Sequence, residues 1–269
     1  MLKRLLITLF LLSVLSSGCQ VHAEAAAKTD ALWQVSLINA LMQGDYDGTV
    51  SVGDLLMIGD TGIGTFDGLD GEMIILEGVV YKAKADGRVD IQPELETVPF
   101  AAVTFFDNDI AQQDIAGLSS IDATKAYLDD LVNQETGDYN RFYVAVIEGT
   151  FNSVHVRSVP EQTKPYKPLS EIAETQPEYI YESLEGTIVA LRCPDFVEGI
   201  NVPGWHLHFV SKDKTKGGHM LNADLLIGSL KMDMISDFNM KLPSTNSFSS
   251  LDLTRDLSSD TEKVESKKK

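Results

Sequence analysis

The stretch GWHLHFVSKDKTKGGHMLNADLL, residues 204–226, has the pattern of two β-strands joined by a short polar loop. Residues two apart in a strand point to the same face, so His206 and His208 project together, while Leu207 and Phe209 project to the opposite face. The segment KDKTKGG supplies a polar loop that ends in glycine and allows the chain to return antiparallel. We therefore predict a β-hairpin over these residues.

Three of the five histidines of the chain, His206, His208 and His219, lie in this hairpin. If the loop holds an even number of residues, all three share one face; pairing His208 with His219, for example, would put their Cβ atoms about 5 Å apart. Such residues are within reach of one metal ion, which imidazole nitrogens bind at roughly 2.0–2.1 Å. Three protein ligands leave open positions, the pattern of a catalytic zinc site. Copper, nickel and iron suit the same ligands, and a solvated hairpin with incidental histidines is the competing interpretation.

Outside the hairpin, short apolar runs alternate with Gly and Asp, which predicts strands joined by tight turns. Helical spacing predicts one helix over residues 30–44 with Asp30 as N-cap, and another in SIDATKAYLDDLVNQE with Asp122 as cap. A short third helix in KPLSEIAETQPEY would be capped by Ser170. The predicted class is α+β and β-rich, with mixed β-sheets or barrel-like layers and a few peripheral helices.

Prolines cluster near residues 160–180 and predict a boundary between two subdomains. The N-terminal β-rich subdomain would cover residues 30–165. The C-terminal one, residues 166–269, would hold the hairpin and a polar C-terminal tail that takes part in function.

The composition limits the classes of function. With 269 residues, 43% of them hydrophobic, the chain can bury a substantial core. A formal net charge of -18 argues against nucleic acid as a partner, because binding the phosphate backbone requires a surplus of Lys and Arg. A small anionic substrate would need a local cation to overcome this field.

The first residues predict export of a bacterial protein. Lys3 and Arg4 precede an apolar run that is too short to span a bilayer, which is typical of a signal peptide over residues 1–23. The segment LSSGC alternatively resembles a lipoprotein site that would leave Cys19 lipidated and anchored to the membrane. The protein would then be periplasmic, secreted or lipid-anchored. Either cleavage leaves Cys193 without a partner for an internal disulfide.

Several unusual segments extend the interpretation beyond the hairpin. GDTGIGTFDGLDGEMIILEG, VRSVPEQTKPYKPL and GWHLHFVSKDKTKGGHML resemble the alpha-acetolactate decarboxylase family in order and spacing, from about residue 30 to the C-terminus. The resemblance implies decarboxylation of 2-acetolactate to acetoin, in acetoin and butanediol biosynthesis, by a homodimer. It implies Zn²⁺ on His206, His208 and His219. It also implies active-site roles for Thr65, Glu72, Arg157 and a glutamate near the C-terminus, which matches Glu265, although Glu262 lies three residues earlier.

The chemistry of these residue types fits that reaction. A 3-oxo acid loses CO2 readily only if the electrons left behind flow into the neighbouring carbonyl, and a zinc ion would stabilise the resulting enediolate as a Lewis acid. Arg157 would supply the cation that an anionic substrate needs, by forked pairing with its carboxylate. Glu72, Arg157 and Glu265 are the candidates for delivering the proton and orienting the substrate. An exported zinc hydrolase and a non-catalytic metal-binding surface module are the alternatives.

Overall fold

A computed structural model describes residues 30–265, so the predicted signal peptide and Cys19 lie outside the described residues. The strands are β1 (Ala31–Val35), β2 (Val50–Ser51), β3 (Thr61–Thr65), β4 (Glu72–Leu76), β5 (Val79–Ala83), β6 (Val89–Ile91), β7 (Thr97–Val98), β8 (Ala101–Thr104), β9 (Ile110–Leu118), β10 (Phe142–Arg157), β11 (Glu178–Cys193), β12 (Gly204–Ser211), β13 (Gly217–Ile235) and β14 (Asp237–Lys241). The helices are α1 (Ile38–Met42), α2 (Val52–Leu56), α3 (Ile121–Glu135), α4 (Leu169–Ile172), α5 (Asn246–Ser249) and α6 (Ser258–Glu265). Among these helices none combines the length and the apolar character needed to cross a membrane.

Two large sheets build the fold. The first has seven strands in the order β14-β1-β8-β3-β4-β5-β6, and the second has five in the order β10-β11-β12-β13-β9. In the second sheet β10 also pairs with β13, so that β10, β11, β12 and β13 form a closed, barrel-like ring. The β-rich α+β class, with sheet and barrel-like layers and few helices, is thereby confirmed.

The predicted boundary at residue 165 does not separate the two sheets. β9 and β10 come before it yet belong to the second sheet, while β14 comes after it and pairs with β1 in the first. The reason is that β10 and β11 pair along nearly their whole length, from Tyr143 opposite Arg192 to Arg157 opposite Glu178. The proline-rich segment is therefore a connection within one sheet rather than a linker between domains.

The predicted helix over residues 30–44 is wrong in its first half. Residues 31–35 form β1, which lies between β14 and β8 and is buried on both faces, so its apolar residues do not alternate as those of a half-exposed strand do. Ser36 has φ 61° and separates β1 from α1. Asp30 is not a helix cap; its Oδ2 accepts a hydrogen bond from Ser236 Oγ.

The other two predicted helices exist with different caps. Ser120 rather than Asp122 caps α3, because Ser120 Oγ accepts a hydrogen bond from the backbone N–H of Ala123 at 3.0 Å. In α4 the N-cap position belongs to Pro168, and Ser170 lies inside the helix.

The alternating pattern of β12 decides where the two cores and the histidines lie. Trp205, Leu207 and Phe209 point into the ring, where Phe209 meets Phe151 edge to face with ring centroids 5.4 Å apart. The opposite face of β12 points toward the first sheet, and a second core there combines residues of both sheets, among them Ile74, Val189 and Val210. Burying each large apolar side chain contributes roughly 1.5–3 kcal/mol, so register in β12 is strongly specified. The histidines are consequently held between the two sheets.

Candidate metal centre

The predicted hairpin is formed by β12 and β13, with His208 directly opposite His219. His206 and His208 lie two residues apart on the same face of β12, and the three imidazoles meet there. His206 Nε2 lies 3.1 Å from His208 Nε2 and 2.9 Å from His219 Nδ1. Nitrogens bound to one tetrahedral zinc ion would lie about 3.3 Å apart, so the cluster has nearly the spacing of a ligand set.

One hydrogen bond beside the cluster is typical of a metal-bound histidine. His208 Nδ1–H donates to the carbonyl oxygen of Met73 at 2.7 Å, which leaves the lone pair of Nε2 directed into the cluster. His206 Nδ1 and His219 Nε2 are buried and have no hydrogen-bond partner within residues 30–265. The three nitrogens that converge are Nε2 of His206, Nε2 of His208 and Nδ1 of His219, and they fit a divalent cation, whose charge would compensate their facing lone pairs.

Burial keeps these imidazoles neutral. It lowers the pKa of His206 to about 3, and the charges of Arg157 and Lys125 add to the effect. It also lowers the pKa of His208 to about 3 and that of His219 well below its ordinary value. The neutral imidazole is the form that binds a metal, so near neutral pH no proton competes with the ion.

Protein stripped of metal with a chelator is expected to lose stability as the pH falls from 6.5 toward 3. Over that range the unfolded chain binds protons on three histidines that the folded state keeps neutral, so acid favours unfolding. Glu72 acts in the opposite sense, because its raised pKa makes its contribution fall as the pH rises from 4.5 to about 7. Thermal unfolding at pH 5 and pH 7 measures the deficit. Replacing His206, His208 and His219 together by Gln should make the difference in Tm between pH 7 and pH 5 smaller. An equal difference in that variant would contradict the assignment of the acid-induced loss of stability to these histidines.

Thr65 and Glu72 face each other across the β3–β4 pair, at the end nearest the histidines. The turn between them needs Gly71 at φ 85°, and Thr65 Oγ1 donates to the carbonyl oxygen of that glycine at 2.7 Å. Gly64, one of the two glycines of β3, allows a close approach to β8, since a Cβ there would collide with the carbonyl oxygen of Phe100. The GIGTF and DGE segments thus act as one rigid unit.

Glu72 is a buried carboxyl group beside the cluster. Its Oε2 lies 3.7 Å from His208 Nε2, and only 9% of the residue is exposed. Burial raises the pKa of Glu72 to about 7. The charge of Arg157 opposes this rise, and the charge of Glu265 adds to it. A carboxyl group with such a pKa can hold and release a proton near neutral pH.

Arg157 ends β10 opposite His219, so the same ladder that builds the ring places a guanidinium beside the histidines. Its Nη1 donates to the carbonyl oxygen of Val264. Its Nη2 lies 3.8 Å from Glu265 Oε1, and its Nε is buried with no partner in the described part of the chain. A donor therefore remains for an anion.

Glu265 reaches the cluster from α6. Its Oε2 lies 3.7 Å from His206 Nε2 and 3.8 Å from His219 Nε2. The preceding Val264 is buried in the same apolar cluster as Leu169 of α4, which fixes the helix on the body of the fold. Burial raises the pKa of Glu265, with Arg157 and Lys125 opposing the shift. Glu262 is exposed, so of the two glutamates the structure brings Glu265 to the histidines.

All seven residues predicted from the sequence line one cavity of about 50 Å³ between the sheets, namely Thr65, Glu72, Arg157, His206, His208, His219 and Glu265. The rest of its wall is mostly aliphatic or aromatic, with contributions from Ile38, Leu69, Phe100, Val159 and Leu169. A larger groove of about 910 Å³ also has Glu265 and Ile38 on its wall.

The sequence did not single out Lys125, Gln176 or Asn201. Lys125 of α3 lines the larger groove; burial lowers its pKa, and among the opposing charges that of Glu265 is the largest. Gln176 and Asn201 line the small cavity. A lysine in a charged helix and amides in loops have no local signature, because what distinguishes them is the distant strand or helix against which they pack.

A buried cluster of three imidazoles, flanked by two carboxyl groups and an arginine between two β-sheets, defines a metal-binding enzyme. The family model described as alpha-acetolactate decarboxylase matches residues 32–255. The chain belongs to that family. It is accordingly an enzyme of the carboxy-lyase class that acts on acetolactate. The match ends before Glu265, which lies beside His206 and His219 as described above.

Individual proteins are similar over most of their length. A Methanosarcina mazei alpha-acetolactate decarboxylase is 41% identical over 240 residues, which cover 88% of this chain and 81% of that protein. Its Brevibacillus brevis counterpart is 36% identical over 249 residues, covering 93% and 85%. The crystal structure of alpha-acetolactate decarboxylase from Bacillus subtilis strain 168 has a TM-score of 0.84 at 32% identity, covering 88% of this chain and 100% of that chain.

Proposed function

We propose that this chain catalyses the zinc-dependent decarboxylation of 2-acetolactate to acetoin. The observation that carries the proposal is the meeting of three neutral imidazoles, two protonatable carboxyl groups and a buried guanidinium in one cavity. Zinc is favoured because three imidazoles with open positions are its usual catalytic ligand set.

The reaction breaks the bond between the carboxylate carbon and C2, releases CO2 and sends the electron pair toward the C3 carbonyl. When bound, the ion supplies a Lewis acid for the charge that develops on oxygen. The protein must then hold the carboxylate, exclude bulk water and deliver one proton to C2. The mostly apolar cavity wall serves the second of these needs.

Arg157 is the residue we assign to the substrate carboxylate. It is 4% exposed, and its Nε has no partner in residues 30–265. A guanidinium in such a site pairs strongly with an anion, which offsets the general repulsion by a chain with a net charge of -18.

Glu72 is the residue we assign to proton delivery. With a pKa of about 7 it is protonated in a substantial fraction of molecules at neutral pH. Because its strand is fixed by the β3–β4 turn, Glu72 approaches the substrate from one side, and protonation from one side gives one hand of acetoin. Glu265 lies across the cluster and holds α6 and Arg157 in place.

The proposal includes export by the signal peptide of residues 1–23, with lipidation of Cys19 as the alternative ending, and assembly as a homodimer. Export is supported by the sequence, and the homodimer by the family resemblance. An anionic 2-hydroxy-3-oxo acid is the substrate class, and neither nucleic acid nor a membrane is a required partner.

The test uses purified protein from residue 24 onward with racemic acetolactate. Acetoin should form in a colorimetric assay, a chelator should abolish its formation, and added Zn²⁺ should restore it. If the protein binds zinc and forms no acetoin, the zinc hydrolase and the non-catalytic metal-binding module remain as the candidate functions. Acetoin formation that persists in fully demetallated protein would exclude zinc dependence.

Removal of residues 260–269 tests the role of α6. We expect kcat to fall by about 10²-fold, because both Glu265 and the Val264 carbonyl that holds Arg157 are lost. Glu265→Gln removes the carboxylate and keeps α6, so it tests the carboxylate alone. It should lower kcat by a comparable factor. Glu262→Gln is the matched control on the exposed side of α6 and should leave the rate unchanged. Unaltered kinetics in the truncated protein would show that neither Glu265 nor the Val264 carbonyl contributes to turnover.

A further inference from the structure

Gln176 is a polar residue of the cavity wall that the proposed chemistry does not use. Gln176 lines the cavity together with the three histidines, Glu72 and Arg157. Its Oε1 is buried and accepts no hydrogen bond from the residues that the structure describes. A buried acceptor without a donor destabilises a protein, so this oxygen marks a place where a donor from a ligand fits.

The backbone around Gln176 is held on both sides. The N–H of Thr175 donates to the carbonyl oxygen of Ile172 at 3.1 Å, and the N–H of Ser158 donates to the carbonyl oxygen of Pro177 at 3.2 Å. The latter bond joins Pro177, the residue after Gln176, to Ser158, which follows Arg157 at the end of β10. The backbone next to Gln176 is thus fixed beside Arg157, to which we assign the substrate carboxylate.

Asn201 offers an informative contrast, since it is a second amide on the same cavity wall. Its Nδ2 donates to Gln34 Oε1 at 2.7 Å, and its Oδ1 accepts from the N–H of Val202 at 2.7 Å. Asn201 is therefore explained by the fold, whereas the oxygen of Gln176 is not.

The chemistry of the substrate identifies the missing donor. A 2-hydroxy-3-oxo acid carries a carboxylate, a ketone and a hydroxyl group. The first two have no proton to donate, so the hydroxyl is the donor available to an amide oxygen. This step rests on the proposed function.

We propose that Gln176 Oε1 accepts a hydrogen bond from the substrate hydroxyl and makes the site select 2-hydroxy acids over analogues that lack this group. Gln176 is a specificity residue in contact with substrate. It transfers no proton.

The experiment measures binding rather than turnover. Calorimetry on the zinc-loaded enzyme compares 2-hydroxy-2-methylbutanoate with 2-methylbutanoate, two acids that differ in the hydroxyl and cannot decarboxylate because they lack the ketone. The wild-type protein should prefer the hydroxy acid. Gln176→Met should reduce this preference about tenfold and leave the Kd of 2-methylbutanoate unchanged. Comparing the two acids in both proteins cancels any contribution from contact between the hydroxyl and the metal, because that contribution is the same in the wild type and the variant.

Thermal unfolding separates this role from a structural one. Gln176→Met should keep or raise Tm and retain zinc, because it removes a polar atom that the fold leaves without a donor. Asn201→Leu, the control, should lower Tm, because it breaks bonds to Gln34 and Val202. Gln176→Asn, which withdraws the oxygen by one methylene, should lose the hydroxyl preference as Gln176→Met does.

A hydroxyl preference in both variants that stays within twofold of the wild-type value would overturn the inference. A fall in Tm with loss of zinc in both variants would overturn it as well, in favour of a structural role. Failure of the proposed function would give a different result, because the wild-type enzyme would then form no acetoin, whatever Gln176 contributes to binding.

Discussion

Glu72→Gln is expected to lower kcat for acetoin formation by about 10³-fold while zinc content stays unchanged. Glutamine has the size of glutamate but cannot give up a proton at neutral pH, so the step that forms the new C–H bond loses its donor. The carboxyl group lies 3.7 Å from His208 Nε2, and no residue of the triad is altered. Initial rates and elemental analysis of the same preparation provide the measurement.

Glu77→Gln is the control for this substitution. Glu77 follows the last residue of β4 on the exposed surface, so the same loss of one carboxylate should leave kcat unchanged. Full turnover by Glu72→Gln would withdraw its role as proton donor. Loss of zinc from that variant would instead place Glu72 among the ligands.

His206→Ala is expected to remove the metal and, with it, turnover. His206 Nε2 is the central atom of the cluster, within 3.1 Å of His208 Nε2 and 2.9 Å of His219 Nδ1. Two remaining imidazoles do not complete the usual three-residue set of a catalytic zinc site, so zinc should fall from about one ion per chain to a small fraction. Elemental analysis after dialysis measures the loss, and acetoin formation should fall to background.

His155→Ala is the matched control, since His155 is also a buried histidine. Its Nε2 lies 2.8 Å from Glu178 Oε2, and it belongs to no cluster of metal-ligating residues in the described chain. Zinc content should stay at the wild-type level in this variant. If both variants kept their zinc, the triad would not be the metal site.

The hairpin and the triad were predictable because a strand has a period of two. His206 and His208 must share a face, and the apolar residues that alternate with them need a core on the other side. The structure has both features. The same local reasoning misassigned residues 31–35, because a strand buried on both faces does not alternate and has the apolar content of a helix.

Other features depend on contacts that no short pattern contains. β10 precedes the proline-rich connection and pairs with β11 and β13, which both follow it, so the predicted boundary at residue 165 falls within one sheet. Glu265 was indicated by family resemblance alone, and its position follows from the burial of Val264 in the apolar cluster that also contains Leu169. Gln176 and Lys125 acquire their significance from α6, β10 and the cavity, and an isolated glutamine or lysine is common on any surface.

The parallel pairing of β1 with β14 has a consequence for how the chain acquires its structure. Ala31 lies opposite Asp237, so one edge of the first sheet forms only when segments about 200 residues apart have met. Closing so long a loop costs conformational entropy before the contacts compensate, which slows folding and makes it cooperative. We expect that fragments divided at residue 165 stay unstructured when expressed separately and assemble only when mixed.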